Sequence, residues 1–318
     1  MRGEIVVPFA FLAGVVAASG LAVASLSGQA PGGAGRAWTQ PQTPWGDPDI
    51  QGLWSYATLT PLERPPQFAG RGIISEEEAA EYQRQSEERS RKANATAGPD
   101  WWDQRTMVNG RASLIVDPPD GRLPPLTPET QQVNAARNRA RRSAGGPESV
   151  QDLSVKDRCL YWEVAGPPML PGPYNNNVQL VQTPDYVVIV NEMNHDARIV
   201  PLNRPHGALP RWMGDSRGHW ESNTLVVDTI NLTDKTSFRG SDASLHLIER
   251  FTQLSETALD YQFTVDAPAT WTRTWTASVP MTKTAGPMYE YACHEGNARS
   301  LIGILSGARY EERNPSGR

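Results

Sequence analysis

The five histidines of this chain, His195, His206, His219, His246 and His294, all fall in its second half, among Asp196, Asp215, Glu221, Asp228, Glu249 and Glu295. Imidazole titrates near neutrality, so histidine beside carboxylate is a common apparatus for general acid/base chemistry. Two stretches concentrate these groups. In Leu245-His246-Leu247-Ile248-Glu249-Arg250-Phe251, period-two alternation sets His246, Ile248 and Arg250 on one face and Leu247, Glu249 and Phe251 on the other. Whichever face meets the core therefore carries a charge inward, and a buried charge needs a partner. The expectation is that Arg250 points inward and pairs with Asp228, or that the two position a ligand. In the second stretch His294-Glu295 follows Cys293. Neighbours on a strand point to opposite faces, so these two are not expected to share one site. The acid/base candidates are His246, Glu249, His294 and Glu295.

Other motifs carry less chemistry. Gly214-Asp215-Ser216-Arg217-Gly218 matches the Gly-x-Ser-x-Gly pattern of serine hydrolases, but it runs on into a hairpin rather than the strand-to-helix turn that a nucleophile elbow needs. The histidines lack the His-Glu-x-x-His spacing of a zinc hydrolase, so neither metal nor cofactor is predicted. Of ten tryptophans, Trp54, Trp212, Trp220, Trp271 and Trp275 fall on candidate strands. Trp220, Trp271 and Trp275, with Arg198, are the candidates to line a ligand cavity beside Arg250 and Asp228; core packing is the plainer role for the aromatics.

The elements that would position these groups follow a leader. Residues 1–30 open with Arg2 and Glu4 and run almost uncharged from Ile5 to Ala30, which is the layout of a signal peptide, with Ala22-Val23-Ala24 as a cleavage site. A retained anchor is the alternative. Residues 31–48 are rich in Pro and Gly and read as flexible; residues 49–318 read as one β-rich domain. The net charge of −5 gives no general attraction to nucleic acid, and no second apolar run reaches membrane length. Export to a periplasmic or extracellular space makes a Cys159–Cys293 disulfide the expected state of the two cysteines, worth on the order of 4 to 5 kcal/mol in the chain-entropy model.

Within the domain, Ser75 and Glu78 form a capping box that starts a helix over 76–92, and Thr127-Pro128-Glu129 starts another over 128–143. These belong to a helical insertion at about 75–157 that also holds the short strand at Leu114-Ile115-Val116. Strands are predicted around Leu53, then over 178–183, 186–191, 197–202, 218–221, 224–232, 245–254, 259–265 and 270–279, with 289–293 closing the set. A run of antiparallel strands in chain order suggests an up-and-down barrel, which removes exposed edges by closure; a two-sheet sandwich is the alternative.

Gly52-x-Trp54 on the opening strand resembles the Gly-x-Trp signature of lipocalins and related calycin barrels. Thr60-Pro61-Leu62-Glu63-Arg64-Pro65, Asp117-Pro118-Pro119-Asp120-Gly121-Arg122, Gly214 to Glu221 and Cys293-His294-Glu295-Gly296-Asn297 resemble a family of uncharacterised secreted bacterial proteins. That resemblance implies export and supplies no activity. Three functions remain open: a barrel binding a small apolar or amphipathic ligand, an acid/base isomerase, hydratase or hydrolase, and a carbohydrate or cell-envelope binding module. Oligomeric state is not legible.

Overall fold

Alternation is the local rule from which the fold follows. In β8 (His246–Gln253) and β9 (Ala258–Asp266) every second side chain is buried, so Leu247, Glu249, Phe251 and Gln253, then Leu259, Tyr261, Phe263 and Val265, face the core. The same pattern holds in β3 (Asn177–Gln182) and β4 (Tyr186–Asn191). The structure, a computed structural model, describes residues 38–93, 110–143, 147, 149–233, 235, 238–241 and 243–313. The predicted signal segment, its cleavage site and residues 31–37 of the segment read as flexible lie outside the described residues.

The remaining strands are β1 (Gly52–Ser55), β2 (Ile115–Asp117), β5 (Ala197–Pro201), β6 (Asp215–Glu221), β7 (Thr224–Ile230) and β10 (Trp275–Lys283). Antiparallel pairing runs β5-β4-β3-β1-β10-β9-β8-β7-β6, with β2 joined to β10 from the side. Setting β2 aside, this is chain order wrapped into a ring, since β10 returns to β1 through Trp54↔Lys283. The expected up-and-down, calycin-like barrel with helices inserted between β1 and β3 is therefore present, and a sandwich is not.

Nine strands in the ring impose one further feature. An up-and-down ring with an odd number of strands must contain one parallel junction, and it falls between β5 and β6. That seam is held by the parallel bridge Leu202↔Gly218 and by the Asn203 amide donating to the Gly218 carbonyl at 2.8 Å. A Cβ on Gly218 would lie 2.7 Å from Leu202 Cδ2 and 3.0 Å from Val200 Cγ1, so the seam closes only because position 218 has no side chain. Parallel neighbours also need a crossover, and residues 202–214 supply it, carrying His206 along the barrel wall.

The helices α1 (Glu76–Ala93) and α2 (Pro128–Ser143) start where their caps predicted. Glu78 N–H donates to Ser75 Oγ at 3.3 Å while Ser75 N–H donates to the Glu78 carboxylate at 3.0 Å; Thr127 Oγ1 accepts from Thr130 N–H. Two expectations need correction. Residues 289–293 are not a strand, because the chain leaves the sheet after Lys283 and enters a 21-residue helix, α3 (Cys293–Arg313), with Glu295 in its first turn. Trp271 precedes β10 in a turn closed by Thr270 N–H donating to the Ala267 carbonyl.

The barrel interior holds one buried cluster that includes Trp54, Tyr56, Phe238, Phe251, Tyr261, Phe263 and Trp275. Phe263 and Trp271 both meet Trp275 edge-on at 5.7 Å, and Phe251 lies 4.8 Å from Tyr261. Trp271 and Trp275, expected as cavity-lining residues, both belong to this buried cluster. Among the described residues no helix is long and apolar enough to cross a membrane.

Candidate functional site

Three polar constellations stand out. The first lies inside the barrel. Arg198 on β5 grips the carboxylate of Glu249 on β8 with both Nη atoms, Nη2 to Oε1 being 2.9 Å. Tyr261 donates its hydroxyl to Glu249 Oε1 at 2.8 Å and accepts from Met169 N–H at 3.0 Å. Burial acts against the charge on Arg198, but Glu249 and its hydrogen bonds outweigh it. Burial and the Glu249 charge likewise hold the Tyr261 hydroxyl well above the ordinary phenol range. Every ionic atom of this pair is satisfied by protein, so it braces the fold rather than awaiting a ligand.

Arg250 therefore does not do what the sequence suggested. Leu247 and Phe251 carry their own face inward, which takes Glu249 with them and leaves Arg250 outside, half exposed and bonded to Glu221 at 2.6 Å. Asp228 is not its partner. It belongs to the second constellation, on the outer wall, where Oδ2 meets His246 Nε2 at 2.8 Å and Oδ1 meets His206 Nε2 at 2.9 Å. His206 Nδ1 in turn faces Asp215 at 3.2 Å, and Asp215 also accepts from Gly207 N–H at 2.7 Å. This chain of alternating carboxylates and imidazoles staples the crossover to β6, β7 and β8. Ser216 is on β6 facing inward, bonded to Thr229 at 2.8 Å, far from the setting of a nucleophile. Trp220, also on β6, packs against the core with its indole N–H buried and unpartnered.

The third constellation is a cleft of about 180 Å³ at the end of the barrel where β4 turns into β5. One wall is the turn carrying Asn194 and His195; the other is the segment Glu290 to Glu295, which includes the first turn of α3. The walls are pinned from two sides. Buried Glu192 accepts from Tyr289 N–H at 2.8 Å and from Asn177 Nδ2 at 2.8 Å. On the other side the expected Cys159–Cys293 disulfide forms, with Cα atoms 5.9 Å apart, and Asn297 Nδ2 donates to the Asp157 carbonyl at 2.7 Å and to Cys159 Sγ at 3.0 Å. His294 and Glu295 both line this cleft. The opposite-face expectation failed because they sit on a helical turn, where successive residues are about 100° apart, and not on a strand.

Tyr291 gives the cleft an aromatic wall. It stacks on Tyr174 at 6.1 Å and meets Trp162 edge-on at 5.5 Å, and burial together with the Tyr174 hydrogen bond pushes its hydroxyl up to about 12. Two further features are costly. Cys159, Asn194 and His195 all have left-handed backbone, at φ of 55°, 58° and 43°. Such strain in residues other than glycine persists only where surrounding structure enforces it, and it clusters at sites of function. Moreover, Asn194 keeps its side-chain oxygen and nitrogen both buried without a hydrogen-bond partner. The sequence reading missed Asn194, His195, Glu290 and Tyr291. Its available signal was the polar Asn194-His195-Asp196 run in a turn between two apolar strands.

Asp196 adds a pH-dependent expectation. Burial pushes its carboxyl up from 3.8 to about 6, with His195 pulling the other way. A native value above the unfolded one means that the folded state holds the extra proton between them, so this group costs stability progressively as pH rises through that window and fully above it. Asp196→Asn should therefore raise the thermal midpoint at pH 8 and leave it unchanged at pH 3.5. Thermal unfolding at the two pH values checks this, and a variant less stable at pH 8 would contradict it.

Among the described residues no group of three or more His, Cys, Asp or Glu side chains is placed to hold a metal ion. Comparison of the chain with protein-family models, with curated proteins and with solved structures returned no match.

Proposed function

We propose that this protein is an exported, calycin-like barrel that binds a small amphipathic molecule in the cleft between the β4–β5 turn and the start of α3. The observation that carries this reading is the strained turn Asn194-His195, both residues in left-handed backbone, which lines the cleft together with Tyr291. The rest of the lining suggests the ligand. Tyr291 offers a ring face for stacking or for a cation, and Glu290 and Glu295 make an anionic rim. The volume corresponds to about six water molecules, so the fitting part is one ring or a short amine. Export draws its support from the leader and from the disulfide.

A second reading, acid/base catalysis in the same cleft, draws on His195 and His294, which both line it; Asp196, whose carboxyl at about 6 is suited to proton transfer near neutrality, follows His195 in the chain but is not itself in the lining.

Titration of isotope-labelled protein with benzylamine, followed by amide resonances, tests the binding reading. Saturable shifts confined to Asn194, His195 and residues 290–295, and lost in Tyr291→Ala, are expected. Shifts scattered over the barrel, or none at millimolar probe, would contradict it.

A further inference from the structure

The two cysteines that close the cleft are themselves among its lining residues, and we propose that the Cys159–Cys293 disulfide is a redox latch that keeps the cleft assembled and competent only while oxidised. The inference rests on the cleft being the binding site.

Two observations point to it. First, among the described residues the α3 part of the wall, which carries His294 and Glu295, is held mainly at its first turn. Helix α3 is exposed along most of its length, with Ile302, Ile304 and Tyr310 facing solvent. Its first turn is fastened by the disulfide and by Asn297, whose contacts run to Asp157 and to the sulfurs themselves. Opening the disulfide removes the covalent tie and one target of Asn297 together. The Glu192 contact to Tyr289 N–H and the packing of Tyr291 on Tyr174 and Trp162 then remain, both before Cys293 in the chain. Second, the barrel does not rely on this link. Both cysteines lie outside the strands, and the ring closes through β1 and β10 and through the β5–β6 seam. Reduction should therefore undo the cleft and spare the sheet.

The chemistry is thiol–disulfide exchange. A small thiolate entering the cleft attacks one sulfur, forming a mixed disulfide and releasing the other cysteine as thiolate. A second thiol then displaces the first cysteine. Two electrons pass to the protein, which gains two thiols, and the reductant leaves as its own disulfide. Position favours the reaction, because Cys293 opens a helix, where the N-terminal backbone N–H groups stabilise a departing thiolate.

The test uses dithiothreitol on the full mature protein without denaturant, with thiol titration, hydrogen exchange and benzylamine binding measured on both forms. Reduction should expose two thiols per chain, speed amide exchange over 289–297 about tenfold as a local opening, and leave β8 and β9 protected. Benzylamine should bind the oxidised form and lose at least about tenfold in affinity on reduction, close to 1.4 kcal/mol. The Cys159→Ser/Cys293→Ser double variant should match the reduced protein. A disulfide that resists reduction until the barrel unfolds, unchanged protection at 289–297 after full reduction, or collapse of protection in β8 and β9 would each overturn the latch. Equal binding by both forms overturns the latch alone. No binding by the oxidised form overturns the cleft reading and the latch with it.

Discussion

Glu249→Ala is expected to cost about 3 to 5 kcal/mol of unfolding free energy, because it strands the Arg198 guanidinium inside the barrel without its counter-charge. The cost is set by position. Glu249 is fully buried, Arg198 is nearly so, and the only other polar atom within reach of Arg198 in this network is Ser216 Oγ at 3.5 Å. Tyr261 loses its acceptor in the same step. Arg198→Ala should be about as damaging, and the double variant should cost less than the sum, since both remove one interaction. A volume-conserving apolar pair, Arg198→Met with Glu249→Leu, should recover much of the loss, as buried ion pairs are often replaceable in this way. Arg250→Ala, on the outer wall, should stay within about 0.5 kcal/mol. Urea denaturation at unchanged slope measures all five. Equal losses at positions 249 and 250 would show that the inward face had been assigned wrongly.

Trp275→Ala is the second large effect, at about 3 to 5 kcal/mol. Trp275 is fully buried and touches Phe238, Phe263 and Trp271, which belong to a turn of the β7–β8 connection, to β9 and to the segment before β10. Its removal leaves a hole that none of these three can fill without losing contact with another. Trp45→Ala, at an exposed position bonded only to Asp47, should change stability by less than about 0.5 kcal/mol. The same denaturation experiment separates them. Similar losses at both would mean that the aromatic cluster is not the core of the barrel.

Much of the fold was legible because its signals are local. Ser75 and Glu78 marked the start of α1 by cap chemistry, and alternation with turn residues marked β3, β4, β7, β8 and β9. The barrel followed from antiparallel strands in chain order. Residues 289–293 were misread as a strand because five residues are too few for a period to show; 289–292 are irregular and Cys293 opens α3. Arg250 was chosen over Glu249 because alternation identifies two faces without saying which one faces the core. Only the partner decides it, and Arg198 lies 51 positions away on another strand. The cleft was harder still. It joins Asn194 to residues some hundred positions later through a disulfide and the Glu192 contact, so single residues such as His294 and Glu295 could be nominated while their company could not.

Native mass spectrometry of the protein purified from its own host bears most directly on the claim that the cleft holds a small molecule. The expected spectrum shows the mature chain with one retained low-mass adduct, displaced by benzylamine and absent from Tyr291→Ala prepared in the same way. A bare chain under gentle desolvation, or an adduct that Tyr291→Ala retains unchanged, would contradict it.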